Sequence, residues 1–318
     1  MLIPPRGYNP AGCAVGLDIG GTKIAAGLVA FPEGRVVARR IISTGAQRPG
    51  SAVLADTLSL TRDLLTEAAQ LDMDPVGIGV GVAELVDPEG HITSDQTIAW
   101  RNLPVRDAFA ALAPVVIDAD VRVAARAEAR FGAAQGIDPW IYVTVGTGIS
   151  YCLVLGGHPY SGTRGNALVF ASAPLSTTCT ECGAVLHPVL EEMASGPALV
   201  ARYNQVASMP LRYGHEVVAA AAAADPEAVR VVTSGGAALG CGVGFLINTL
   251  DPAVVVVGGG LGLAGGLYWD AFVDATRAHI WADATRGVPI RSALLGVDAG
   301  LVGAAITAWD FFTPDGRG

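Results

Sequence analysis

Twice along this chain an apolar strand runs into a glycine turn and out again as a second apolar strand, and that repeat limits what the chain can fold into. Residues 15–31 read VGLDIGGTKIAAGLVAF. Gly20 and Gly21 let the backbone reverse tightly and come close to a ligand. The adjacent N–H groups, together with the Thr22 hydroxyl, can hold an anion such as phosphate. Residues 141–155, IYVTVGTGISYCLVL, repeat the pattern, so that Asp18-Ile-Gly-Gly-Thr22 lines up with Thr144-Val-Gly-Thr-Gly148. Neither turn has Walker A or GxGxxG spacing, and a single glycine hairpin is a common object. Two of them, each opening one half of the chain, predict duplicated domains facing each other across a cleft, with a nucleotide's phosphates between them.

Between the turns lies PVVIDADVRVAARAEARFG, residues 114–132. Val115, Val116 and Ile117 form a short apolar strand, Asp118 and Asp120 follow, and a helix-forming segment rich in Ala, Arg and Glu runs to a stop at Gly132. The strand delivers an acid to the mouth of a helix, where the dipole and the unpaired N–H groups stabilise a carboxylate. Two roles fit Asp120 there: the N-cap of the helix, or a catalytic base at a domain junction.

The remaining pattern is α/β in character. Residues 51–70 carry helical spacing, GIGVGV at 77–82 reads as a strand, and residues 84–90 as strand and turn. In the second half, residues 191–203, the Ala-rich run after Glu216 and residues 239–250 read as helices. AVVVVGGG then gives a buried strand and a triple-glycine turn at 258–260, which permits flat approach of a base or sugar. The end, residues 292–309, carries a Gly/Ala-rich helix.

At 318 residues the chain is too long for one comfortable core, so two domains are expected. With 51% hydrophobic and 15% charged residues it is globular, not disordered. The net charge of −9 and the lack of any Lys/Arg cluster exclude a phosphate-backbone footprint for nucleic acid. Lys23 is the only lysine of the chain. Five cysteines, an odd number set mostly in apolar runs, read as reduced thiols of a cytoplasmic protein. The N-terminal segment lacks the apolar core of a signal peptide. Glycines interrupt the apolar run 253–269, so no membrane span is expected.

Taken in order, several short motifs resemble the ROK family (repressors, open reading frames and sugar kinases) of the actin-like ATPase superfamily, over roughly residues 13–310. They are Asp18-Ile-Gly-Gly-Thr-Lys23, Gly79-Val-Gly-Val82, Trp100, Asp120 with Glu128-Ala-Arg-Phe-Gly132, and Gly146-Thr-Gly-Ile149. Glu191 with Ala194-Ser-Gly-Pro197, and Asn248-Thr-Leu-Asp-Pro252 leading to Gly258-Gly-Gly260, complete the set. The resemblance implies an α/β fold of two actin-like (ribonuclease H-like) ATPase lobes, with mixed sheets flanked by helices and the active site in the cleft between them. The lobes would be residues 1–117 and 118–318, the last helix packing back on the first. It further implies that Asp18, Gly20, Gly21, Thr22, Lys23, Gly146, Thr147, Gly148 and Gly258 to Gly260 hold ATP with Mg²⁺. Asp120 would take the proton from a sugar's primary hydroxyl. A homodimer is expected on the same ground. Repressors of the family carry a helix-turn-helix of many tens of residues; about a dozen precede the first strand here, which disfavours a DNA-binding role.

The departures from the family pattern fall on the sugar side. The Glu-Asn-Asp-Ala-Asn motif reads Asp118-Ala119-Asp120-Val121-Arg122, so a sugar-binding Asn is Ala119 and a bulky cation stands at the end. The Gly-Glu-x-Gly-His segment aligns with residues 168–172, placing Val169 and Ser172 at its Glu and His. The Pro-Gly-Pro loop reads Ala83-Glu84-Leu85, and Gln96 stands for an Asn. The expected substrate contacts are therefore Glu84, Gln96, Ala119, Asp120, Ser172 and Glu191. Glu84 would pair with an amine or bond a different hydroxyl. The expectation is a kinase for a modified hexose, an amino sugar or a cyclitol; a non-catalytic sugar-binding or regulatory protein of the same family is the alternative. Of the family's zinc cluster, Cys179 and Cys182 remain and His187 stands nearby. Structural zinc wants four protein ligands, so Zn²⁺ at Cys179, Cys182 and His187 is the weaker expectation.

Overall fold

The protein is described by a computed structural model covering residues 12–313. The segment 1–11, read above for a signal peptide, lies outside the described residues. The chain opens with β1 (Gly12–Ile19), β2 (Lys23–Phe31) and β3 (Arg35–Ser43), followed by α1 (Gly50–Gln70), β4 (Pro75–Val82), α2 (Val105–Ala110), β5 (Val115–Ala119) and α3 (Asp120–Phe131). Next come β6 (Trp140–Val145), β7 (Ile149–Leu155) and three two-residue strands, β8 (His158–Pro159), β9 (Thr177–Thr178) and β10 (Val185–Leu186). Helices α4 (Glu191–Ala194), α5 (Gly196–Asn204), α6 (Gly214–Ala222) and α7 (Pro226–Leu250) follow. β11 (Val255–Gly258), α8 (Gly266–His279), β12 (Ile290–Ser292) and α9 (Ala299–Phe312) complete it.

These elements form two compact units. The first takes the described residues up to 136, residues 158–167 and those from 297 onward; the second takes 137–157 and 168–296. The sheet of the first unit has the order β3-β2-β1-β4-β5. β1 and β2 are the antiparallel arms of the first glycine hairpin; β4 pairs in parallel with β1, and β5 in parallel with β4. Within the second unit the order runs β12-β11-β6-β7, with β6 and β7 antiparallel and β11 and β12 parallel to β6. The duplication legible in the two hairpins is thus a duplication of connectivity: a hairpin whose first strand is extended on its other side by two parallel strands in succession.

The first unit is centred on α9, which is buried at every residue from Ala299 to Trp309. It reaches the sheet because glycines remove the side chains that would hold it off. A Cβ on Gly16 of β1 would lie 2.0 Å from the Leu301 carbonyl oxygen, and one on Gly79 of β4 would lie 1.7 Å from that of Ala304. On the other flank, a Cβ on Gly303 would lie 1.7 Å from the Val123 carbonyl oxygen of α3. That contact explains why α3 stays with the first unit, whereas a boundary drawn after Ile117 would part the strand from the helix it feeds.

The second unit is built around α7, whose Val231, Leu239, Val243 and Ile247 are buried. Gly236 and Gly240 let α8 press in, since Cβ atoms there would lie 2.3 Å from Tyr268 O and 2.4 Å from Phe272 O. α7 has the length and apolarity of a membrane-crossing helix, and it serves here as core. One expected helix differs in detail. Residues 191–203 break at Ser195, whose hydroxyl accepts from Ala198 N–H and caps α5. The stretch 292–309 carries the expected helix, which begins at Ala299 after β12 ends at Ser292.

Gly303→Ala should lower stability by about 2 kcal/mol or more, because a methyl group meets backbone that cannot yield. Gly287→Ala, with open space around its Cβ, should stay within about 0.5 kcal/mol of wild type. Urea unfolding of both variants checks the contrast.

Candidate active site

In the first unit, β1 ends on Asp18 and Ile19, and the chain reverses through Gly20, Gly21 and Thr22 into Lys23, the first residue of β2. Gly20 N–H donates to the Lys23 carbonyl at 3.0 Å, closing the turn. Thr44, fully buried just past β3, straps it from the side. Its hydroxyl donates to Gly20 O at 2.6 Å and its N–H to Thr22 O at 3.1 Å. On α9, Gly300 leaves room for Asp18; a Cβ there would lie 2.3 Å from the Asp18 Oδ2. Burial pushes the Asp18 carboxyl up to about 6, against the opposing pull of the Lys23 charge.

Asp120 is the first residue of α3, and the N-cap is Ala119. The cap role is therefore not the one Asp120 plays. Its Oδ1 accepts from Val121 N–H at 2.6 Å, and among the described residues no hydrogen bond is made to Oδ2. Its carboxyl is pushed up to about 7. Burial is the largest cause and the Asp18 charge the next; Val121 N–H and Arg122 pull the other way, and Glu84 adds a smaller push.

Three of the sequence departures have structural occupations. Arg122, 3% exposed, donates from Nε to Asp118 Oδ1, from Nη1 to Gly165 O at 2.8 Å and from Nη2 to Val86 O at 2.7 Å. It is a clamp between β5, the segment after β4 and residues 158–167. Ala119, 1% exposed, is a buried strand residue, so its side chain is not a surface contact as expected from the motif. Glu84, 6% exposed, accepts four hydrogen bonds from its own neighbourhood. The donors are Ser94 Oγ, Gln96 N–H at 3.0 Å, Thr97 N–H at 2.6 Å and Ile98 N–H at 2.7 Å. A carboxylate has about four lone-pair sites; these donors fill them, and the expected pairing with an amine is corrected accordingly. Gln96 is exposed on the loop so held.

In the second unit the other expected residues gather at one end of the sheet. Gly146, Thr147 and Gly148 form the β6–β7 turn, closed by Gly146 N–H donating to Gly148 O at 2.9 Å. Glu191, at the start of α4, accepts from Ile149 N–H at 2.7 Å through Oε2. The same oxygen would lie 2.9 Å from a Cβ on Gly148. Glu191 is thus the brace of that turn. Gly196, at the start of α5, donates to Gly146 O at 2.9 Å. The triple glycine of residues 258–260 runs alongside, with Gly259 at φ +82° where a Cβ would lie 2.4 Å from Val145 O. Leu261 N–H donates to that same oxygen at 3.0 Å. Ser172 is exposed.

The zinc expectation is not supported by the donor set. Cys179 and Cys182 flank the β9–β10 turn, where Cys179 N–H donates to Ala184 O at 2.8 Å and Gly183 N–H to Cys179 O at 2.9 Å. The register pairs Thr178 with Val185 and Thr177 with Leu186, which carries His187 along the ladder away from the thiols. His187 Nδ1 instead lies 2.8 Å from Ser176 Oγ. Among the described residues the one set of three ligand-type side chains within mutual reach is Asp87, Glu89 and His91, which includes neither cysteine.

Sequence reasoning missed Thr44 and Gly300, and gave Gly196 no role of its own. Thr44 and Gly300 are distant in sequence from what they hold, and no local pattern marks them. Gly196 was legible only as part of the Ala194-Ser-Gly-Pro197 motif.

The repeated hairpin-plus-parallel connectivity, with glycine turns at strand ends and an acid opening a helix, defines a protein of the actin-like ATPase fold. The chain belongs to the ROK family, whose profile matches residues 14–310. It is 30% identical to a glucokinase of Streptomyces coelicolor over 92% of this chain and 96% of that protein. It is 32% identical to the bifunctional enzyme NanE/NanK of Brucella melitensis, over 96% of this chain and 55% of that protein. Among solved structures, the ROK glucokinase of Streptomyces griseus in complex with glucose and AMPPNP superposes with a TM-score of 0.80 at 30% identity, covering 94% of this chain and all of that one.

Two outcomes test the site as built. Arg122→Met should cost about 3 kcal/mol, because it leaves Asp118 only the longer Arg126 ion pair at 3.7 Å and strips the Gly165 and Val86 carbonyls of their donor; adding Asp118→Asn should recover part of it in thermal melts. Purified protein should carry well under one zinc per chain by elemental analysis, and a chelator should leave Tm unchanged.

Proposed function

We propose that the chain is an ATP-dependent sugar kinase that phosphorylates a primary hydroxyl of a hexose-like acceptor, with Asp120 as general base. The observation that carries this is the state of Asp120. It opens a helix with one oxygen unengaged, in surroundings that push its carboxyl up to about 7. A base is most effective when its pKa lies near the working pH. In the reaction the acceptor hydroxyl gives its proton to Asp120 as its oxygen bonds to the γ-phosphorus, and ADP leaves. ATP would enter as its Mg²⁺ complex, the bound metal supplying charge neutralisation for the transferring group. The glycine turns at 20–21, 146–148 and 258–260 let phosphates come close to backbone, the arrangement that phosphoryl transfer exploits. Glucose and AMPPNP in the complex of the Streptomyces griseus relative support both the acceptor class and the donor.

The acceptor is a modified hexose rather than plain glucose. Ala119, Val169 and Ser172 remove an amide, a carboxylate and an imidazole from the sugar contacts the family resemblance implies, which makes that end of the site more apolar. A site built to bond hydroxyls discriminates strongly, so losing those groups changes the preferred sugar. Glu191 braces the Gly-Thr-Gly turn, so its substitution would disturb the donor side as well.

Asp120→Asn should lower kcat by about 10²–10⁴-fold while ATP affinity is retained. In the wild type the base must be deprotonated, so kcat/KM should rise with pH through about 7 and then level off. Coupled-assay kinetics with ATP-Mg against glucose, mannose, amino sugars, N-acetylated sugars and cyclitols check both. An unchanged rate in the Asn variant would remove Asp120 from the mechanism.

A further inference from the structure

Glu84 stands where relatives of the family resemblance carry a glycine, yet it is buried and its carboxylate gathers donors from four positions in one loop. Ser94 Oγ and Gln96 N–H donate to Oε2; Thr97 N–H and Ile98 N–H donate to Oε1. Ser94 Oγ also accepts from Leu85 N–H at 2.8 Å, and Thr93 N–H donates to Leu85 O at 2.8 Å, so the two strands of this loop are tied in both directions. Beyond it, Trp100 is buried and its indole N–H donates to Gly50 O at 2.8 Å, which anchors the far end on α1. The result is a loop with a buried acid at its centre and Asp95 and Gln96 exposed on its outside.

Resting on the kinase reading above, we propose that Glu84 is the positioning residue of the acceptor side, folding residues 94–98 around its carboxylate so that the exposed Asp95 and Gln96 are preset to receive the sugar. Backbone N–H groups in a loop without such an acceptor must find water, and the loop then samples many conformations that binding has to select from. Glu84 removes that cost in advance. It has a second effect that a neutral scaffold would lack. Asp120 is faced by Asp18 from β1, by Glu84 from the segment after β4 and by Arg122 on its own helix, with Lys23 acting on Asp18. The charge of Glu84 is one of the two that push the Asp120 carboxyl upward. One residue therefore shapes the acceptor loop by its reach and biases the base by its charge.

Two variants separate these effects. A glutamine offers one acceptor oxygen and turns its NH₂ group toward N–H donors; an aspartate keeps the charge but falls one methylene short. Glu84→Gln should raise the KM for the sugar about tenfold or more, with a smaller fall in kcat. It should also move the acid limb of the kcat/KM profile to lower pH, because a negative charge near Asp120 is gone. Glu84→Asp should raise the same KM and leave the limb in place. Hydrogen exchange of full-length protein should show the amides of Gln96, Thr97 and Ile98 losing protection in both variants while α1 and β4 keep theirs. Wild-type protection at those amides in both variants, or a Glu84→Gln enzyme with unchanged KM and unchanged acid limb, overturns the proposal. If no sugar is phosphorylated by the wild type, the kinase reading fails, and exchange together with NMR titration of the Asp120 carboxyl still decides the role of Glu84. If Glu84→Gln does not fold, Glu84→Asp carries the KM and exchange arms.

Discussion

Backbone-to-backbone approach around α9 is the constraint on which the first unit depends. At Gly16, Gly79 and Gly303 a single added carbon would collide with carbonyl oxygen, so helix and strands lie closer than side chains ordinarily permit. Such packing excludes water over a long seam, and the acid at the end of β1 sits at its rim. Gly300 brings α9 onto the Asp18 carboxylate, and the loss of solvent there raises that acid. Asp18 in turn bears on Asp120. A mechanical feature, the absence of four side chains, is therefore transmitted as an electrostatic one to the residue proposed to move the proton.

The charged residues that depart from the family pattern share a logic. Glu84 collects N–H groups and Arg122 supplies them to carbonyls, and each ties together segments that have no regular secondary structure to satisfy their backbone. Buried charges are tolerated when their hydrogen-bonding capacity is filled, and both residues meet that condition. Under the proposed kinase reading, such scaffold groups would shape a sugar site through the loops they hold, without lining it themselves.

The glycine turns, the strand over 115–119 and the helix begun by Asp120 were legible because each is written in a dozen consecutive residues. Turn chemistry and apolar periodicity are local signals, and the helix over 51–70 was found by the same means. What escaped was long-range. Thr44 supports a turn more than twenty positions upstream, and nothing near it says so. Glu84 and Arg122 were recognised as unusual, yet apart from Asp118, four positions from Arg122, their partners lie ten to forty-three positions away, Ser94 the nearest and Gly165 the farthest. From spacing alone, an acid in an expected pocket looks like a ligand contact; only the fold reveals that its lone pairs are already filled. The weakly expected zinc set shows the same limit of local reading: His187 is close to Cys182 in sequence but lies beside Ser176, further along the hairpin ladder.

Lys23 opens β2 beside the first glycine turn, half-buried, with its charge bearing on Asp18. Every other basic side chain in the sequence apart from the histidines is arginine. The chain thus contains one ε-amino group, placed at the turn where a phosphate would first meet protein. Lysine carrying ¹³C at Cε alone would yield a single Cε resonance, a built-in reporter of whatever approaches that corner, free of overlap and with no foreign probe attached.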